Sequence, residues 1–187
     1  MLSALSLALA TAALLGTSPA ATPLPLAAAV VQKPVPAPLW QPLTATQARR
    51  LGLPRLRPQQ YQTVRLNLAQ LRQVLATVPA GPAGPVLQLP LPDGTLAQYQ
   101  LRTTQVMAPE LAARYPELQT YAGQEVGRPA NSVRLEFTPT GLRAMLIRNG
   151  RTLFIEPYRL HDTQHYICFD KVSLPAGSKA GFETSAK

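Results

Sequence analysis

Between residues 60 and 170 the apolar positions recur with two distinct periods. In Leu68–Ala76, LAQLRQVLA, Leu68, Leu71, Val74 and Leu75 fall on one stripe at the 3.6-residue period, and Asn67 stands where an N-cap belongs. This predicts one amphipathic helix. The next residues, VPAGPAGP, hold two glycines and three prolines and end it. PVLQLPLPDGTLAQYQLRT then reads as two extended runs around Pro92-Asp93-Gly94-Thr95, a hairpin signal, although Leu96, Tyr99 and Leu101 break strict alternation in the second run.

Further on, Val133, Leu135 and Phe137 alternate with Arg134, Glu136 and Thr138, as in a half-buried strand. Thr138-Pro139-Thr140-Gly141 turns the chain, LRAMLIR runs back, and Asn149-Gly150 marks a tight hairpin into RTLFIEP. TQHYICFD makes a last strand, so residues 132–170 read as a four-strand meander. Between the two patterns lies MAPELAARYPELQTYAGQ, residues 107–124: a short helix with Pro109 in its first turn, stopped by Pro116, and then an extended run closed by Gly123. It reads as a crossover from hairpin to meander. The expected class is α+β: a twisted, mostly antiparallel sheet, hairpin plus four-strand meander, with one amphipathic helix and one short helix.

The flanks have a different character. Residues 1–20 are apolar from Leu2 to Leu15 and end in small residues, as in a secretory signal peptide, although no Lys or Arg precedes Lys33. Their apolar run is shorter than the ~20 residues that span a bilayer. Residues 21–58 are rich in Pro and Ala and read as a linker. The expected domain is 59–174, large enough to fold alone, followed by a disordered tail at 175–187. Export to the periplasm, cell surface or medium follows, with no membrane span.

Charge and chemistry narrow the function. The chain carries 18 Lys+Arg against 9 Asp+Glu, a net charge of +9. Its arginines are scattered and lack interleaved aromatics, which argues against a nucleic-acid partner, although an acidic surface would be attracted. Cys168 is the single cysteine, so no internal disulfide forms. His161-Asp162-Thr163-Gln164-His165 imitates the H-E-x-x-H zinc motif. However, an aspartate replaces the glutamate, the segment lies between strands, and the chain has no third histidine. Glu110, Glu117 and Glu125 stand singly. No catalytic residues and no resident metal are expected.

LPLPDG (89–94), MAPELAARYPELQTYAGQ (107–124), RLEFTPTGLRAML (134–146), IEPY (155–158) and HYICF (165–169) occur in this order. Together they resemble the pro-region of secreted bacterial reprolysin-like (adamalysin-related) zinc metalloproteases. The resemblance implies a non-catalytic domain that assists folding of a zinc protease domain, in cis or in trans, and holds it latent by blocking the open zinc position or the substrate cleft, with sheet-edge pairing as one mode. Zinc is then the partner's cofactor. The family motif marks Met107, Pro109, Glu110, Tyr115, Pro116, Thr120, Tyr121, Gly123 and Gln124 as candidate docking residues. By analogy with the thiolate lock of related animal enzymes it also offers Cys168 as a candidate inhibitory zinc ligand. Against that, YICFD does not match the cysteine-switch motif and places the thiol in a strand, where free cysteines serve as small buried hydrophobes. This chain departs from the family at Gly141-Leu142-Arg143-Ala144-Met145 and Gly127-Arg128-Pro129, and no zinc motif follows before Lys187. The resemblance therefore implies a pro-region severed from its protease or a free-standing one. The competing expectation is an exported basic module that binds acidic envelope polymers.

Overall fold

The computed structural model describes residues 38–79 and 84–176. The signal-peptide reading of 1–20, the first part of the linker (21–37) and nearly all of the tail lie outside the described residues. Nine strands form one sheet: β1 (Trp40–Pro42), β2 (Gln62–Leu66), β3 (Val86–Pro90), β4 (Leu96–Thr104), β5 (Gln119–Glu125), β6 (Arg128–Thr138), β7 (Gly141–Arg148), β8 (Arg151–Pro157) and β9 (His165–Asp170). Helices α1 (Ala45–Arg50), α2 (Leu68–Ala76) and α3 (Pro109–Arg114) lie between them. Every neighbouring pair is antiparallel, in the order β1-β2-β9-β8-β7-β6-β5-β4-β3.

The sheet curls into a nearly closed barrel, and this corrects the expected α+β class. Strands take up 45% of the described residues and helices 18%, so the protein is all-β in character. The expected meander is the end of a longer one, because β3 to β9 run consecutively without a break. The crossover is also more than a connection. Its second half, Gln119–Glu125, is β5, paired with β4 on one side and β6 on the other. A further correction falls at the N-terminal boundary, where Trp40–Pro42 and Ala45–Arg50 are regular elements within the segment read as linker.

Local chemistry explains why these elements form. The Asn67 side chain accepts from the Gln70 N–H at 3.2 Å and caps α2, whose Leu71 and Leu75 are buried among the barrel residues. Asn149 and Gly150 take φ of 51° and 74°, the positive values a two-residue hairpin requires. Inside the barrel, Leu87, Leu89, Tyr99, Leu101, Leu135 and Leu146 form a continuous core, joined by Trp40, which meets Tyr166 edge to face with ring centroids 5.7 Å apart. The core's apolar side chains point inward while Arg102, Arg134 and Arg143 stand on the outer face, the reverse of a barrel in lipid. No helix among the described residues is long and apolar enough to cross a membrane.

Two prolines explain why the barrel stops short of closing. The bonds of Leu43 N–H to Thr63 and of Asn67 N–H to Leu39 turn the odd positions of β1 toward β2, so Trp40 and Pro42 face the seam. The bonds of Leu91 N–H to Thr95 and of Leu101 N–H to Pro85 likewise turn the odd positions of β3 toward β4, leaving Val86, Gln88 and Pro90 facing the seam. A proline on each edge withholds a donor where a ladder would need one. One side chain bridges the gap: Trp40 Nε1 donates to the Gln88 carbonyl at 2.8 Å.

Candidate functional site

The outer face of the barrel is built from alternate residues of the meander, and cross-strand register sets its rows. Arg102 pairs with Ala122, Ala122 with Arg134, Arg134 with Met145, Met145 with Phe154, and Phe154 with Phe169. A parallel row carries Thr104, Thr120, Glu136 and Arg143. Over β8 and β9 this face is covered by the chain's own strap, residues 51–57. Leu51 and Leu56 pack on Tyr158, Ile167 and Phe169, and the Arg55 N–H donates to the Tyr158 carbonyl at 2.8 Å. The strap ends there. From β4 to β7 the face is open and forms a groove of about 490 Å³ floored by Ala122, Met145 and Phe154.

Charge in this groove is unevenly paired. Glu156 meets Arg55 at 3.0 Å and Arg143 at 3.6 Å. Burial nevertheless pushes the Glu156 carboxyl above its ordinary range, outweighing both guanidinium groups. Arg102 and Arg134 form no ion pair among the described residues.

A second groove, about 610 Å³, lies between the end of α2 and the crossover, lined by Leu75, Val78, Met107, Tyr115, Leu118 and Tyr121. The two grooves meet at Val106, which is 75% exposed. Leu111, Tyr115 and Leu118 are also exposed, so the crossover presents an apolar ridge.

The candidate docking residues divide into two groups. Met107, Pro109, Glu110, Tyr115 and Pro116 belong to this ridge, with Pro109 opening α3 and Glu110 in its exposed first turn. Thr120 faces the groove and donates to the Thr104 carbonyl at 2.8 Å, and Gln124 is exposed on β5. Tyr121 and Gly123 point inward and hold the barrel. The Tyr121 hydroxyl donates to Gln119 Oε1 at 2.7 Å, and a Cβ at Gly123 would stand 2.6 Å from the Gln100 carbonyl oxygen and 2.9 Å from a Leu101 methyl. Glycine is required at 123 because two neighbouring strands fill the space.

Cys168 is fully buried in the barrel interior, and burial pushes its thiol far up. A metal held by a docked partner has no path to this sulfur while the barrel is folded, so the core role accounts for it. His161 sits in a turn at φ 64° and His165 opens β9. Asp162 ties that turn together, accepting from the Gln164 and His165 N–H groups at 2.9 Å and facing His165 Nδ1 at 3.1 Å. Among the described residues no three His, Cys, Asp or Glu side chains gather into a metal cluster. Sheet-edge pairing also loses its footing, because the two edges face each other across a proline-bearing seam.

Sequence reasoning missed one polar cluster. Glu125 and Asn131 are buried together, with Asn131 Nδ2 donating to Glu125 and Arg148 Nε lying 3.2 Å from its carboxylate. Burial alone would raise the Glu125 carboxyl, but the Asn131 and Arg148 hydrogen bonds and the Arg148 charge together hold it below the usual range. Asn131 Oδ1 also accepts from the Asn149 N–H at 3.0 Å, so the cluster pins the β7–β8 turn. Glu125 and Asn131 lie six residues apart across the β5–β6 hairpin, and Arg148 and Asn149 join them only through the pairing of β6 with β7.

No family model, curated protein or solved structure matches the chain, so the resemblance to a metalloprotease pro-region rests on its motifs alone.

Proposed function

We propose that this protein is a non-catalytic docking domain of the pro-region kind, which binds a reprolysin-like zinc protease and keeps it latent. The observation that carries the reading is the apolar ridge of Val106, Leu111, Tyr115 and Leu118, raised beside two grooves on an otherwise arginine-bearing barrel. Val106, Tyr115 and Leu118 line one groove, and exposed apolar side chains gathered in this way mark a surface for a partner. The ridge is also where the motif resemblance is densest.

The side chains that might suggest chemistry are engaged in structure: Asp162 and His165 in a turn, Glu125 in a buried cluster, Cys168 in the core. In this reading the chain carries no cofactor, the zinc belongs to the protease, and an exported leader brings both to one compartment.

The test adds the purified protein to an activated reprolysin-like zinc protease from the same organism and follows cleavage of a quenched fluorescent peptide. Dose-dependent inhibition is expected, weakened about tenfold or more in Val106→Asp, because an ion would be buried at the ridge. Val106 is exposed, so its replacement shifts stability by only about 0.5 kcal/mol. Absence of both inhibition and a complex on size exclusion would overturn the reading.

A further inference from the structure

We infer that the open groove over β4–β7 receives an acidic, partly apolar polypeptide segment of the partner, with its carboxylates on Arg102 and Arg134 and its apolar side chain over Met145 and Phe154. The inference rests on the docking reading above and adds the chemistry of the matching surface.

Three observations on this face point the same way. The first is charge. Arg55, Arg102, Arg134 and Arg143 stand against Glu136 and Glu156, so four guanidinium groups meet two carboxylates. Arg55 and Arg143 both reach Glu156, while Glu136, the cross-strand neighbour of Arg143, forms no ion pair among the described residues. Arg102 and Arg134 remain without an ion-pair partner among the described residues. The second is spacing. Both arginines flank Ala122 in one row, so they stand two strand intervals apart, about 10 Å, with only a methyl group between them. An anionic side chain can enter that gap.

The third is continuity. The row passes from arginines to Met145 and Phe154, and then to Phe169 beneath the strap. Phe154 shows both environments at once. One side packs on Phe169, ring centroids 5.7 Å apart, and the other lines the groove. On β9 the chain supplies its own apolar cover in Leu56; on β7 the same kind of surface is left for another chain. The open row from β4 to β7 spans about 14 Å, the length of roughly four extended residues. That is longer than a small anion needs and suits a peptide laid across the strands. The net charge of +9 steers such a segment toward the barrel.

The probe is a ten-residue fluorescein-labelled peptide alternating glutamate with leucine or phenylalanine, titrated with the full chain and read by anisotropy at about 50 and 300 mM salt. A lysine-substituted peptide and an alginate oligosaccharide serve as comparison. The glutamate peptide is expected to bind and the lysine peptide not. Arg102→Glu with Arg134→Glu should weaken glutamate-peptide binding about tenfold or more and create binding to the lysine peptide. If that variant melts differently from the wild type, Arg102→Gln with Arg134→Gln carries the same loss without the reversal. Unchanged binding by both variants overturns the inference, as does binding of alginate without the peptide. The protease assay separates this inference from the reading it rests on. Inhibition that is indifferent to both arginines overturns the inference and leaves the reading standing. Peptide binding through the arginines, with neither inhibition of the protease nor a complex with it on size exclusion, overturns the reading and leaves the groove's peptide chemistry standing.

Discussion

The outer face over β8 and β9 and the outer face over β4 to β7 belong to one sheet, yet the chain treats them differently. Over β8 and β9 the outward positions Ile167 and Phe169 are as buried as any core residue, because Leu51 and Leu56 lie on them. Over β4 to β7 the outward positions that line the groove are threonine, alanine, arginine and glutamate with half-buried Met145, bordered by half-buried Phe154 of β8, and nothing from the described chain lies above them. The difference shows that cover is a choice written in the outward row. Where the chain covers itself, the row is apolar; where it stays open, the row mixes charge with one apolar step. A row of that mixed kind is poorly suited to solvent alone and equally poorly suited to permanent burial, which is the character of a surface that exchanges between water and a partner.

The largest expected effect breaks the covered side. Phe169→Ala should cost about 3–5 kcal/mol, since it empties a site 1% exposed beneath the strap. Phe154→Ala, half-open to the groove, should cost about half as much, compared by denaturant melts at equal slope. Equal losses would mean that the strap does not distinguish the two flanks.

A middling effect concerns a charge the chain satisfies for itself, in contrast to the unmet arginines of the groove. Glu125→Gln should cost about 2 kcal/mol at neutral pH, the scale of hydrogen bonds to a charged group. The folded protein holds the Glu125 carboxyl below its ordinary range. Its contribution is therefore present above the unfolded pKa and is lost as pH falls through the lower folded value. The gap between variant and wild type, measured by thermal melts from neutral pH to about pH 3, should narrow toward acid.

The smallest effect has the opposite sign and sits on the boundary between the two flanks. Glu156 is raised in the folded state, chiefly by burial. Its favourable contribution is present below the unfolded pKa and is lost as pH rises through the raised value. Glu156→Gln should therefore raise the melting temperature at neutral pH by about 1–3 °C and give no gain near pH 4. A loss at neutral pH would show that the Arg55 and Arg143 ion pairs outweigh the desolvation.

Much of the local structure was legible before any coordinates. The Asn67 cap and the Leu71/Leu75 stripe name α2, Asn149-Gly150 names its hairpin, Asp93-Gly94 names another, and Pro109 with Pro116 brackets α3. These signals are local, because a cap, a tight turn or a ring-fixed φ acts within a few residues. Of the motif residues, the ridge around Met107 and Tyr115 was legible as a joint, but nothing in the sequence separates exposed Tyr115 from buried Tyr121, six residues on.

The closed class was not legible, for a physical reason. Trp40 lies in a proline-rich segment that reads as unstructured, and it becomes a strand only because β2 pairs with it and Tyr166 packs against it. Gln62–Leu66 is a five-residue run whose partner, β9, begins about a hundred residues later. The sequence by itself determined where the chain turns, which faces alternate and that the molecule is strongly basic. Only the tertiary structure decided that the sheet curls into a barrel, that Pro42 and Pro90 lie on the two edges of its seam, that Cys168 is sealed inside, and that Arg102 and Arg134 flank one alanine. Register over long separations sets all of these, and register is a property of paired strands rather than of any one segment.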